Sequence, residues 1–155
     1  MITTITGYFG SFDASFETDG DDIYSASNIR FTAAIDSIST NNEQRDAHLK
    51  SPDFFNAEEH EQLTFVGKDF EADGSEANLL GDLTIRGITK PVSIDVEYGG
   101  TVVDPYGQIK SGFTVSGQIS RKEFGLTWDT VTEAGAVVVS DDIRLLAEVQ
   151  FIKQV

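Results

Sequence analysis

Apolar and polar residues alternate with period two along most of this chain, and no other feature constrains its fold as strongly. Successive side chains of a β-strand point to opposite faces, so this alternation gives each strand one apolar face and one wetted face. Phe12, Ala14 and Phe16 alternate with Asp13, Ser15 and Glu17, and Ile29, Phe31, Ala33 and Ile35 with Arg30, Thr32 and Asp36. Downstream, Leu83 and Ile85 interleave with Asp82, Thr84 and Arg86, and Val92, Ile94, Val96 and Tyr98 with Ser93, Asp95 and Glu97. Phe113, Val115 and Ile119, then Ile143, Leu145, Ala147, Val149 and Phe151, complete the set. Parallel strands covered by helices read as continuous apolar runs, so the pattern predicts an all-β, antiparallel sheet.

Turn signals fall between these strands. Asp19-Gly20, Asp73-Gly74 and Asp104-Pro105-Tyr106-Gly107 supply the residues that tight turns require. Gly87 and Gly99-Gly100 punctuate further strands with no room for a crossover helix, which predicts a meander closing into a barrel. Residues 1–155 form one domain, and a short helix is expected near residues 42–50, where the alternation fails. Ser51-Pro52-Asp53 has the form of an N-cap with proline in the first helical position, so a second helical turn is expected around Phe54 and Phe55. Phe124, Leu126 and Trp128 have the opposite parity from Ile119, so a bulge or turn near Lys122 must re-aim the chain.

The chain carries 11 Lys+Arg against 26 Asp+Glu, a net charge of -15, which disfavours nucleic acid and anionic membrane surfaces as partners. It has no cysteine, hence no disulfide or thiolate metal site. No apolar run is long enough to span a bilayer, and the opening MITTITGYFGSFD has no signal-peptide character. A cytoplasmic location is therefore expected as written, with periplasmic or secreted placement if a signal lies upstream. There is no nucleophile elbow and no glycine-rich phosphate loop, and His48 and His60 do not have zinc-site spacing. A non-enzyme is expected, with no catalytic residue, no metal and no required cofactor.

Three ordered blocks resemble the YceI family. They are Asn42-Glu43-Gln44-Arg45-Asp46-Ala47-His48-Leu49-Lys50-Ser51-Pro52-Asp53-Phe54-Phe55 with Leu63-Thr64-Phe65, then Gly81-Asp82-Leu83-Thr84-Ile85-Arg86-Gly87-Ile88-Thr89-Lys90-Pro91-Val92, then Ile119-Ser120-Arg121-Lys122-Glu123-Phe124-Gly125-Leu126. The resemblance implies an extended lipocalin-like barrel of about eight strands whose interior takes a polyisoprenoid, a quinone tail or a similar lipid. It also implies a first strand of which Met1-Ile2-Thr3-Thr4-Ile5 is only the end. Most of that strand is expected to be absent, which opens two edges and favours a homodimer.

The inward faces offer Phe31, Ile35, Leu63, Phe65, Leu83, Ile85, Phe113 and Val115 as ligand contacts. Phe54, Phe55, Phe124, Leu126 and Trp128 join them from the irregular segments. Alternation alone leaves two outcomes open, because small barrels either fill with side chains or hold a ligand. A filled barrel would make the chain a structural or protein-interaction module instead. Arg45, Asp46 and His48 either meet a ligand head group or pin the helix to the barrel, and the second role is favoured because so compact a motif can act locally. Few cations lie near, which predicts a neutral head group over a diphosphate.

Overall fold

The computed structural model describes residues 6–20, 22–74, 76–128 and 141–154. Its strands are β1 (Tyr8–Phe9), β2 (Phe12–Asp19), β3 (Asp22–Ala34), β4 (Ile38–Ser39), β5 (Gln62–Asp73), β6 (Glu76–Ile85), β7 (Ile88–Val103), β8 (Ile109–Ser120) and β9 (Asp142–Ile152). One α-helix, α1 (Glu43–Lys50), and two short 3-10 turns, Ile35–Ser37 and Arg121–Phe124, interrupt them. Seven strands form one antiparallel sheet in the order β2-β3-β5-β6-β7-β8-β9, while β1 and β4 make a separate two-stranded ribbon. The large sheet curls into a half-barrel, and Phe16 of β2 meets Phe151 of β9 edge-on at 4.6 Å although these strands are its two edges.

Register carries the sequence pattern into three dimensions. Phe31 lies opposite Phe65, Phe65 opposite Leu83, and Val115 opposite both Val96 and Ala147, so apolar side chains stack on one face. A slip of one residue would turn each set outward. Shifts between Ser15 and Glu17, Gly67 and Asp69, and Tyr98 and Gly100 mark bulges, which add local bend and twist to their strands. Close packing also requires glycine at position 81, where a Cβ would sit 2.5 Å from the Phe65 ring.

The meander puts the β2–β3, β5–β6 and β7–β8 hairpins at one end, the hairpin end, and the β6–β7 turn with the irregular segments at the other. At the second end α1 begins with Asn42, whose side chain accepts the Arg45 N–H at 3.0 Å. Of the second helical turn expected around Phe54 and Phe55 one hydrogen-bonded turn forms, Phe54 donating its N–H to the Ser51 carbonyl at 3.0 Å, and it does not continue as a helix. Ser51 closes α1 instead, its hydroxyl donating to the His48 carbonyl at 2.6 Å, and Asn56 at φ 53° turns the chain back. The re-aiming expected near Lys122 is the 3-10 turn Arg121–Phe124, closed by Gly125 at φ 75°. It swings Phe124 and Leu126 inward, and Arg121, 2% exposed, holds the following segment by donating to the carbonyls of Leu126 at 2.5 Å and Trp128 at 2.9 Å.

At the hairpin end the predicted Asp104 turn is observed. Asp104 Oδ1 accepts the N–H groups of Tyr106 and Gln108, both at 2.9 Å, and its other oxygen pairs with Lys110 at 3.1 Å. These interactions, the Gln108 N–H foremost, hold its carboxyl below the ordinary aspartate value. Among the described residues β2 and β9 are the edges of the large sheet, and the expected strand end at residues 1–5 lies outside the described residues.

Candidate functional site

Inside the curled sheet is a cavity of about 250 Å³ with an almost wholly apolar wall. Its existence follows from small residues at inward positions. Ala14 on β2 and Ala147 on β9 border it as small side chains, and Gly117 on β8 borders it where a Cβ would meet Ile94 at 3.0 Å. Phe16, Phe113 and Phe151 gather toward the hairpin end, with Phe113 and Phe151 5.7 Å apart. The volume lies just below the range of about 300–1,000 Å³ common for small-molecule sites, which suits a slender chain.

Of the candidates from sequence, Phe31, Leu63, Phe65, Leu83, Ile85, Phe113 and Val115 line this cavity. Ile35, Phe54, Phe55, Phe124, Leu126 and Trp128 lie elsewhere, in the packing that plugs the end opposite the hairpins. There Phe124 is 0% exposed and Ile35 and Leu126 are 2%. Trp128 packs edge-on against His48 at 4.7 Å and tilted against Phe54 at 5.5 Å, while Phe55 meets Phe9 at 6.2 Å. The apolar residues of the irregular segments therefore satisfy one another.

Several wall residues were not among those candidates, notably Phe9, Ala14, Phe16, Leu79, Ala147 and Phe151. Parity marks Phe16 and Phe151 as inward, and that signal was present in the alternation of their strands. Ala14 and Ala147 matter for the volume they leave vacant, which hydropathy does not register.

Arg45 and Asp46 converge on Thr40, which is 8% exposed. Asp46 Oδ1 accepts from the Thr40 N–H at 2.8 Å and from its hydroxyl at 2.6 Å, while Arg45 donates from Nε to that hydroxyl and from Nη2 to the Thr40 carbonyl, both at 2.8 Å. This network ties α1 to the chain leaving β4. His48 Nε2 lies 2.9 Å from Asp53 Oδ2, facing the turn that follows its own helix. None of the three borders the cavity.

Just beyond the apolar wall, at the hairpin end, three hydroxyls are linked. Thr101 Oγ1 is 2.8 Å from Ser111 Oγ and also meets the Tyr98 hydroxyl, and the Tyr98 ring packs on Phe113 at 5.3 Å. Arg30 borders the cavity but sits on the solvent-facing parity of β3 between Ile29 and Phe31, so it adds no inward charge. No group of three or more metal-ligating side chains occurs among the described residues. Nor is any of their helices long and apolar enough to cross a membrane.

The YceI-like domain profile matches residues 1–151. A UPF0312 protein of Staphylococcus aureus strain USA300 is 38% identical over 154 residues, covering 97% of this chain and 86% of its own. A UPF0312 protein of Staphylococcus epidermidis strain ATCC 12228 is 37% identical over the same shares. The crystal structure of a Campylobacter jejuni YCEI protein superposes with a TM-score of 0.86 at 31% identity, over 99% of this chain and 88% of that one. Burkholderia cenocepacia BcnA superposes with a TM-score of 0.78 over 94% of this chain and 86% of its own, a likeness of fold alone at 20% identity.

Proposed function

The chain belongs to the YceI-like family and has its lipocalin-like fold, and from that premise we propose that it is a non-catalytic carrier or store for a long apolar chain. The ligand class is a polyisoprenoid, a quinone tail or a similar lipid, held in the half-barrel. The observation that carries this reading is the apolar cavity of about 250 Å³ among the described residues, bordered by the small side chains Ala14 and Ala147. An apolar chain entering it gains about 25 cal/mol for each Å² removed from water, with no charge to desolvate on the wall.

The head group is neutral in this proposal. The hydroxyls of Tyr98, Thr101 and Ser111 offer hydrogen bonds without charge, whereas a diphosphate would need cations that the inward face does not present. Melting the protein with a quinone and with an isoprenyl diphosphate of matched chain length tests both statements. A ligand that binds the folded state alone stabilises it by mass action, so a rise in Tm is expected, larger for the quinone. No shift at any chain length would remove the carrier reading, and a larger shift with the diphosphate would remove the neutral head group.

Self-association belongs to the same proposal. The edges β2 and β9 present backbone groups that a second copy could pair, and Leu146, 74% exposed, adds an apolar residue beside one of them. A dimer is expected by light scattering. A stable monomer at high concentration would count against edge pairing.

A further inference from the structure

The hairpin joining β7 and β8 exposes apolar residues in a way that the barrel does not require. Val102 is 63% exposed, Val103 69% and Tyr106 89%, with Ile109 at its base 37% exposed. Neighbouring residues of a strand face opposite sides, so exposure of both valines means that both faces of the hairpin are open, beyond the last pairing with β6 at Glu97 and with β9 alone alongside as far as Lys110. Ile152, 44% exposed, lies opposite Lys110 and widens the same patch. The exposure is built in. The Asp104 carboxylate clamps the N–H groups of Tyr106 and Gln108, the Gly107 N–H donates to the Asp104 carbonyl at 3.0 Å, and Lys110 holds the outer oxygen.

Charge sets this hairpin apart as well. Residues 99–109 contain one ionisable side chain of net charge, Asp104, and Lys110 neutralises it. The two other hairpins at this end carry Asp19 and Asp22, and Glu71 and Glu76, in a chain of net charge -15. A convex, uncharged, apolar finger beside acidic hairpins is complementary to a soft neutral surface. Valine gains from the acyl region, and tyrosine favours the boundary where its ring is apolar and its hydroxyl wet.

We propose that the β7–β8 hairpin docks this protein on a zwitterionic lipid bilayer, inserting Val102, Val103 and Tyr106. Its base is the Tyr98–Thr101–Ser111 hydroxyl chain at the hairpin end of the cavity, so a docked molecule presents that end to the lipid. Delivery of a lipid by this route rests on the carrier reading above. Docking itself does not.

Sedimentation of the full chain with phosphatidylcholine vesicles, and with phosphatidylglycerol-rich vesicles at low salt, tests the proposal. The wild type is expected to partition onto phosphatidylcholine, and more weakly onto the anionic vesicles, because the acidic hairpins are repelled there. Combining Val102→Ser, Val103→Ser and Tyr106→Ser should weaken partition by about tenfold or more, from the lost apolar burial. Tyr106→Asp, a single change at a fully solvated tip, should weaken it without touching the fold. Ala147→Phe, which fills the cavity, should leave partition intact, so failure of the carrier reading and failure of docking give different results. Docking is overturned if the wild type ignores both vesicle types, if the tip variants partition as the wild type does, or if anionic vesicles bind best. It is equally overturned if the wild type ignores vesicles while the tip variants lose self-association, since the finger is then a protein interface.

Discussion

Truncating Phe124 to Ala is expected to lower the free energy of unfolding by about 3–5 kcal/mol, the loss usual for a large aromatic removed from a core. Phe124 is 0% exposed and belongs to the cluster that includes Ile35, Phe54 and Leu126. The 3-10 turn that carries it is anchored by Arg121 and closed by Gly125, so the backbone has little freedom to collapse into the space left behind. An apolar void of that kind stays dry, and the lost contacts are not replaced by water. Since ordinary domains are stable by only about 5–15 kcal/mol, this single change should remove a large part of the total. Urea unfolding measures it, with Leu146→Ala as the control, because a side chain that is 74% exposed should cost little. A Phe124→Ala loss under about 1 kcal/mol would mean that the plug is not part of the cooperative core.

Ala147→Phe should reduce affinity for a long apolar chain by about a hundredfold, equivalent to about 2.7 kcal/mol. Ala147 borders the cavity from β9, opposite Val115, and an aromatic ring there would occupy much of the space of about 250 Å³. Stability should change less than affinity, because the ring enters the cavity that Ala147 borders. Gly81→Ala makes the contrast. Its new Cβ would fall 2.5 Å from the Phe65 ring and from the Val66 carbonyl oxygen, an overpacking that typically costs about 1–3 kcal/mol. Titration with a fluorescent or radiolabelled polyisoprenoid, alongside a thermal melt, separates the two effects. Unchanged affinity in folded Ala147→Phe would show that the chain binds elsewhere.

The expectation that Phe54, Phe55 and Trp128 contact a ligand illustrates where sequence reading loses its hold. An aromatic residue outside a regular strand needs an apolar neighbour, but its own identity does not say which one. In the structure these residues pack against His48, Phe9 and each other at the plugged end. The same limit applies at residues 51–55, where Ser51-Pro52-Asp53 has the residues of a helix start. Its neighbours decide otherwise, since Phe55 donates its N–H to the Leu49 carbonyl at 2.9 Å and Asn56 takes a left-handed conformation. Arg45 and Asp46 were legible as a local clamp because their partner, Thr40, is only a few residues away.

What the sequence determined by itself is what depends on near neighbours. Alternation in β2, β3 and β6 to β9 dictates which face of each strand is apolar, and Asp104-Pro105-Tyr106-Gly107 dictates a hairpin. Loss of the alternation places a helix near residues 42–50, and the change of parity after Ile119 requires a turn near Lys122. Each of these rests on a strand period, a break in it or a permitted φ, and none needs the rest of the molecule. Only the tertiary structure decided that the inward face of the half-barrel leaves a cavity among the described residues. A cavity is the volume left over when seven strands have contributed their side chains, so Ala14 and Ala147 acquire meaning only once register sets them around one space. Likewise the adjacent Val102 and Val103 do not reveal in sequence which face is covered, and only the reach of the hairpin beyond β6 leaves both in solvent.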